Sequence, residues 1–227
     1  CYNFMPILGW SRTKLDMVME DGSLALEFNA SELRVFDLYI LQRAGAEKDY
    51  TPEVIQQTKT HFESLSKEDI ARISDNVLKG LPGSEEGYSM EEFKEMLETY
   101  QGIDADQLRL HLVQFLSEII PLSESLGIKM CIHPDDPPFT LLGLPRVVST
   151  MEDYKYIFDK VTPLSNGITF CTGSLGVRAD NDLPAIFDAY ADRVHFLHLR
   201  STKRDPQGNF YEADHLTGDV DMFEIIK

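Results

Sequence analysis

Gly167-Ile168-Thr169-Phe170-Cys171 reads as a short buried strand, and it is the middle one of three. Upstream stands Ile128-Lys129-Met130-Cys131-Ile132-His133, and downstream Arg193-Val194-His195-Phe196-Leu197-His198-Leu199. Helical segments separate them. Thr150 and Asp153 cap a helix to about Val161, another covers roughly Asp182 to Tyr190, and a last one opens near Asp221. Strands of five to seven residues alternating with helices specify βαβ units and a parallel sheet, so the fold class is α/β.

Each of the three strands ends in a metal-type ligand: His133, Cys171 and His198. Strands of a parallel sheet point the same way, so their C-terminal ends converge on one rim. A lone buried His is commonly a hydrogen-bonded core residue and a lone Cys a small hydrophobe. Equivalent positions on consecutive strands point instead to a metal site. His195 and His198 are three residues apart and face opposite sides of a strand. His198, nearer the rim, is the ligand of the two, and His195 is structural. Cys131 shares a face with His133 but lies a layer deeper, as core packing. His61 and His111 sit in helical segments as surface or groove residues.

The following loops add polar groups. In His133-Pro134-Asp135-Asp136-Pro137-Pro138 two carboxylates follow a ligand directly. They orient the imidazole or bind substrate hydroxyls, the alternative being a plain Asp-Pro turn. Cys171-Thr172-Gly173-Ser174-Leu175-Gly176 supplies small residues for close backbone approach. Arg178, Arg200, Lys203 and Arg204 bring positive charge to the same rim. Arg200 shares the parity of His198, and its planar fork suits a carboxylate, unless it pairs with a structural Asp. Asp135, Arg178 and Arg200 form the expected substrate-binding set.

The first half of the chain reads as helices with clear punctuation. Thr51-Pro52 opens one toward Leu65, Ser66 opens another to Lys79 with Gly80 as its stop, and Ser89 with Glu92 forms a capping box ahead of a helix ending near Gly102. From Ala105 to Leu126 the residues Leu108, Leu112, Phe115, Ile119 and Leu122 mark one buried face, with Pro121 as a kink and Gly127 as the end. Cys1-Tyr2-Asn3-Phe4-Met5 reads as a strand already in progress.

The 227 residues carry a net charge of -17, which disfavours nucleic acid and anionic membranes as partners. Residues 45–110 hold 15 acidic and 7 basic residues, a net of -8, read as solvated helix faces. That charge lies away from the strand ends and is screened over ~8 Å at physiological salt, so an anionic small substrate stays compatible with the chain. Three cysteines at no disulfide-like spacing fit a reducing compartment. The start lacks the basic region of a signal peptide, and the most apolar stretch falls short of the ~20 residues of a membrane span. A cytoplasmic location is the expectation.

Taken in order along the chain, Cys1-Tyr2-Asn3-Phe4, Leu81-Pro82-Gly83, His133 to Pro138, Gly143-Leu144-Pro145-Arg146, Cys171-Thr172-Gly173-Ser174, Asn181-Asp182-Leu183, His198-Leu199-Arg200 and Gly218-Asp219-Val220-Asp221-Met222 resemble the mannonate dehydratases of hexuronate catabolism. The resemblance implies a (β/α)8 TIM barrel, a divalent Mn²⁺ or Fe²⁺, and dehydration of D-mannonate to 2-keto-3-deoxy-D-gluconate in glucuronate degradation. It places His133, Cys171 and His198 on the family's metal ligands. It places Glu212 and His215 on a Glu-x-x-His element, as candidate catalytic residues. The family also has further barrel strands before, and an Asp-bearing ligand element and a Tyr after, the part matched here. The expectation is therefore a single domain over residues 1–227 that is an internal portion of a barrel, with residues 30–105 as a helical insertion. A homo-oligomer acting on a small sugar acid is implied. Two rival readings are a divalent-metal aldose-ketose isomerase on the same barrel, which calls for carboxylate-rich ligation, and a non-catalytic scaffold with a closed metal shell.

Overall fold

Three parallel strands, β3 (Met130–Ile132), β4 (Asn166–Cys171) and β5 (Val194–His198), lie side by side in that order. The computed structural model describes residues 1–7, 10–79 and 87–227; Gly80 and the Leu81-Pro82-Gly83 motif lie outside the described residues. All six residues of β4 are buried, as expected of a central parallel strand covered on both faces. Cys1 to Met5 is not a full strand. It contributes one parallel bridge, Tyr2 to Ile132, through Tyr2 N donating to Cys131 O at 3.0 Å and His133 N to Tyr2 O at 2.7 Å.

The helices between these strands begin where the caps say. Thr150 and Asp153 form a reciprocal capping box at the head of α6 (Met151–Lys160). Asp182 caps α8 (Leu183–Tyr190), and Asp221 caps α9 (Met222–Ile226). A short α7 (Thr172–Gly176) starts on Cys171 itself. In the first half, α2 (Pro52–Ser64), α3 (Lys67–Lys79) and α4 (Met90–Thr99) start at Thr51, Ser66 and the Ser89/Glu92 box. Each such cap contributes about 1 kcal/mol by satisfying an otherwise orphaned N–H.

The long helix α5 (Ala105–Ser125) contains Pro121 and ends at Gly127, whose φ of +68° lets Ile128 N reach back to Ser123 O at 2.8 Å. Its buried face differs from the expected one. Leu108, Leu112, Leu116 and Ile120 enter the core, whereas Phe115 and Leu122 are 42% and 62% exposed. Phe115 instead meets the rings of Tyr2 and Phe4, each at 6.2 Å. The core that α5 faces joins Ile132, Ile168 and Phe170 of the parallel sheet to Tyr154, Ile157 and Ile186 of α6 and α8.

A second sheet was not foreseen. β1 (Lys14–Val18), β2 (Leu24–Phe28), β6 (Ser201–Arg204) and β7 (Phe210–Ala213) form an antiparallel layer in the order β1-β2-β7-β6. Phe28 and Phe210 stack across it at 5.1 Å. Onto them pack Leu33 of α1 (Ala30–Val35), Phe36, Ile73, Val77 and Phe93, a second core closed by Leu141, Leu142 and Val177. The helical region is thus seated on the small sheet. β5 passes through Leu199 and Arg200 directly into β6, so the two sheets meet where the ligand-type residues end. No described helix is long and apolar enough to cross a membrane.

Candidate metal centre

His133 follows β3, Cys171 closes β4 and His198 closes β5, and Cys171 and His198 are direct register partners. Register achieves this through a bulge. Val194 pairs with Ile168 and Phe196 with Thr169, leaving His195 as an extra residue in β5. Its Nε2 donates to Leu164 O at 2.7 Å, the structural role expected of it. Donor atoms of His133, Cys171 and His198 all lie within 4.8 Å of one another, and His133 Nε2 stands 3.3 Å from His198 Nδ1.

This geometry suits a metal ion. Two imidazole nitrogens bound to one tetrahedral ion at ~2.0–2.1 Å stand ~3.4 Å apart. His133 Nδ1 donates to Pro134 O at 2.7 Å, which fixes the tautomer and leaves the Nε2 lone pair for the site. Cys171 is fully buried, and burial opposes its ionisation. Hydrogen bonds from His133 and His198 and the charge of Arg200 outweigh burial and hold the thiol well below its ordinary value. Burial likewise opposes protonation of His133, but the Cys171 sulfur and the Pro134 carbonyl raise its pKa. A divalent cation would compete with protons for the sulfur and for the imidazole nitrogens.

Around Cys171 lies a polar network. Arg200 Nη2 reaches Cys171 Sγ at 3.4 Å, Ser174 Oγ at 2.9 Å and Asp136 Oδ2 at 2.7 Å, while its Nη1 donates to Glu212 Oε1 at 2.8 Å. Gly173 makes room for this: a Cβ there would stand 2.7 Å from Arg200 Cβ. Arg12, fully buried, donates to Asp136 Oδ1 at 2.8 Å and Glu212 Oε1 at 2.6 Å. Burial alone would raise the Asp136 pKa, yet the two guanidinium groups hold it far below the carboxylate range.

Other expected site residues fall differently. Asp135 is buried, and its carboxylate turns inward, accepting from Val148 N at 2.7 Å and Ser149 Oγ at 2.8 Å, which braces the loop. Arg178 is half-buried. It bonds Pro138 O at 3.3 Å and Asp180 at 2.5 Å, and makes no hydrogen bond to the triad or its network among the described residues. Arg204 holds Gly176 O at 2.8 Å, and Lys203 is exposed. His215 is exposed, with Nε2 donating to Leu199 O at 3.0 Å. Glu212 lies in the Arg200 network. Cys131 is buried outside the triad; His61 and His111 bond Ser31 and Gln107. Asp136, Ser174 and Arg12 were missed as network members. The Asp-Asp pair was visible, but nothing in a loop decides which carboxylate turns in. Arg12 lies 124 residues from its partner Asp136 and carries no motif.

An α/β chain that gathers two imidazoles and a thiol at the ends of adjacent parallel strands is of the class whose rim offers a metal three ligands. The sequence profile of the D-mannonate dehydratase (UxuA) family matches residues 1–227. The mannonate dehydratase of Marinomonas sp. (strain MWYL1) is 51% identical over 228 residues, covering 100% of this chain and 58% of the relative. That of Brucella canis (strain ATCC 23365 / NCTC 10854 / RM-666) is 51% identical over 229 residues, covering 100% and 57%. The crystal structure of mannonate dehydratase from Streptococcus suis serotype 2 matches with a TM-score of 0.70 at 30% identity, over 100% of this chain and 52% of that one. The chain belongs to the D-mannonate dehydratase family. It spans a little over half the length of the curated relatives it matches.

Proposed function

We propose that this chain carries the metal-binding part of a mannonate dehydratase active site, which converts D-mannonate to 2-keto-3-deoxy-D-gluconate and water. The observation that supports it most is the His133–Cys171–His198 cluster, with its donors within 4.8 Å, in a member of this family. The family match favours this hydro-lyase over the aldose-ketose isomerase and the scaffold.

The ion of this reading is Mn²⁺ or Fe²⁺. A thiolate with two imidazoles suits Zn²⁺ or Fe²⁺ on softness alone, so Mn²⁺ rests on the family resemblance. When bound, the cation would supply Lewis-acid stabilisation of the negative charge that develops on a substrate oxygen as the C2 proton leaves. Arg200, 20% exposed beside the triad, is the cation for the sugar-acid carboxylate, and Asp136 and Glu212 fix the plane of its fork. His215 donates through Nε2 to Leu199 O, which leaves Nδ1 as the ring atom through which a proton would pass as the C3 hydroxide departs. Glu212 orients Arg200 in this scheme.

Residues 1–227 are read as part of one (β/α)8 barrel domain, with residues 30–105 as a helical insertion. The parallel β3-β4-β5 triplet supports this. Homo-oligomeric assembly and a cytoplasmic location complete the proposal. The test is metal content together with mannonate-dependent 2-keto acid formation in the full-length protein and its Cys171→Ser variant. Loss of both supports the reading; a variant that keeps full metal occupancy and activity overturns it.

A further inference from the structure

Among the described residues Arg12 makes no hydrogen bond to the triad, yet it stands at the head of a continuous chain of contacts that ends on the Cys171 sulfur. Its guanidinium is fully buried between the rings of Trp10 and Phe210, 4.3 and 4.7 Å from their centroids. From there it donates to Ser11 O at 2.9 Å, to Asp136 Oδ1 at 2.8 Å and Oδ2 at 3.3 Å, and to Glu212 Oε1 at 2.6 Å. Asp136 Oδ2 receives Arg200 Nη2 at 2.7 Å and Ser174 Oγ at 3.0 Å. Those same two atoms lie 3.4 and 3.3 Å from Cys171 Sγ.

We propose that Arg12 is a positioning residue for the metal-ligating sulfur: by sharing Asp136 and Glu212 with Arg200, it keeps the Arg200 fork and the Ser174 hydroxyl on Cys171 Sγ. The proposal rests on the reading of Cys171 as a metal ligand. Two carboxylates and two guanidinium groups balance in this network. Without Arg12, both carboxylates fall to Arg200 alone, and its Nη2 is drawn off the sulfur to serve them. A thiolate that loses an N–H donor has its lone pairs raised in energy. Hydrogen bonds to sulfur and outer partners of metal ligands tune metal sites in this way.

The test uses Co²⁺ alone as the probe, titrated into the full-length protein while the near-ultraviolet sulfur-to-cobalt charge-transfer band is followed. In Arg12→Gln we expect Co²⁺ affinity to fall about 10-fold or more and the band to move to longer wavelength. Arg12→Lys, which keeps the charge between the two rings but not the fork, moves the band the same way by less. A purely structural arginine would lower stability and leave the band of folded molecules in place. A folded Arg12→Gln with unchanged band and affinity overturns the proposal. Should Arg12→Gln lose its far-ultraviolet circular dichroism, an unchanged band in Arg12→Lys overturns it equally. Cys171→Ser separates the two layers. If it keeps the band, the ligand reading fails and the proposal with it; if it abolishes the band while the Arg12 variants match wild type, only the proposal fails.

Discussion

Replacing Asp136 by Asn keeps the shape of the side chain and removes the charge that two buried or half-buried guanidinium groups share. Asp136 accepts at 2.8 Å from Arg12, 2.7 Å from Arg200 and 3.0 Å from Ser174, all in the interior. Removing one partner of a buried charge network costs about 3–5 kcal/mol, because the partners stay buried and uncompensated. That is a loss of roughly 10²- to several 10³-fold in the folded-to-unfolded ratio. In urea, with a slope near ~3 kcal/mol/M for a chain of this size, the midpoint should fall by about 1–1.7 M with the slope unchanged. Chelator in the buffer keeps metal binding out of the comparison. The pH dependence adds a signature. The native pKa of Asp136 is depressed: burial raises it, but Arg12 and Arg200 more than compensate. Its contribution is therefore complete above the unfolded value of ~3.9 and is lost as pH falls toward the native one. The gap between wild type and Asp136→Asn should be constant from pH 7 to about 5, then narrow by about 1.4 kcal/mol per pH unit below ~3.9. A gap under ~1 kcal/mol at pH 7, the size of an exposed ion pair, would refute the reasoning, as would a gap that does not narrow in acid.

Three further outcomes are expected. Leu112→Ala, in the core face of α5, should cost about 2–5 kcal/mol in chemical denaturation, and Leu122→Ala, 62% exposed, within ~0.5 kcal/mol; equal losses would mean that the helix is rotated from its described face. Gly173→Ala sets a methyl 2.7 Å from Arg200 Cβ and 2.8 Å from its Nε, so it should destabilise by about 1–3 kcal/mol and weaken Co²⁺ binding as followed by absorbance. Thr150→Ala breaks the capping box of α6 and should lower stability by about 1 kcal/mol in the same denaturation experiment, with Co²⁺ affinity unchanged.

What the sequence disclosed follows the range of the physics. Caps are local, so Thr51, Ser66, Ser89 and Thr150 could be read from spacing alone. The ligand triad was legible because a parallel sheet converts strand ends into neighbours. The antiparallel sheet was not: Lys14–Val18 and Ser201–Arg204 are short, half-exposed and charged, and they become strands only through partners far along the chain. On α5, Leu108, Leu112 and Phe115 fit the helical period as well as Leu108, Leu112 and Leu116 do. The choice fell to what packs opposite, which periodicity does not encode. Asp135 and Asp136 differ by one residue in a loop, and only the buried Arg12 and Val148 on either side tell them apart.

The bulge at His195 acts on β5 as a frameshift acts on a message. Counted without it, the residue opposite Cys171 would be Leu197, and the rim would offer a metal only two ligands; with it, His198 comes into frame. The spacing between ligands along this chain is therefore not a fixed code. A deletion that straightened β5 by removing His195 should leave His198 opposite Cys171, whereas a one-residue insertion between Phe196 and Leu197 would put Leu197 in its place and silence the site without touching any of its three ligands.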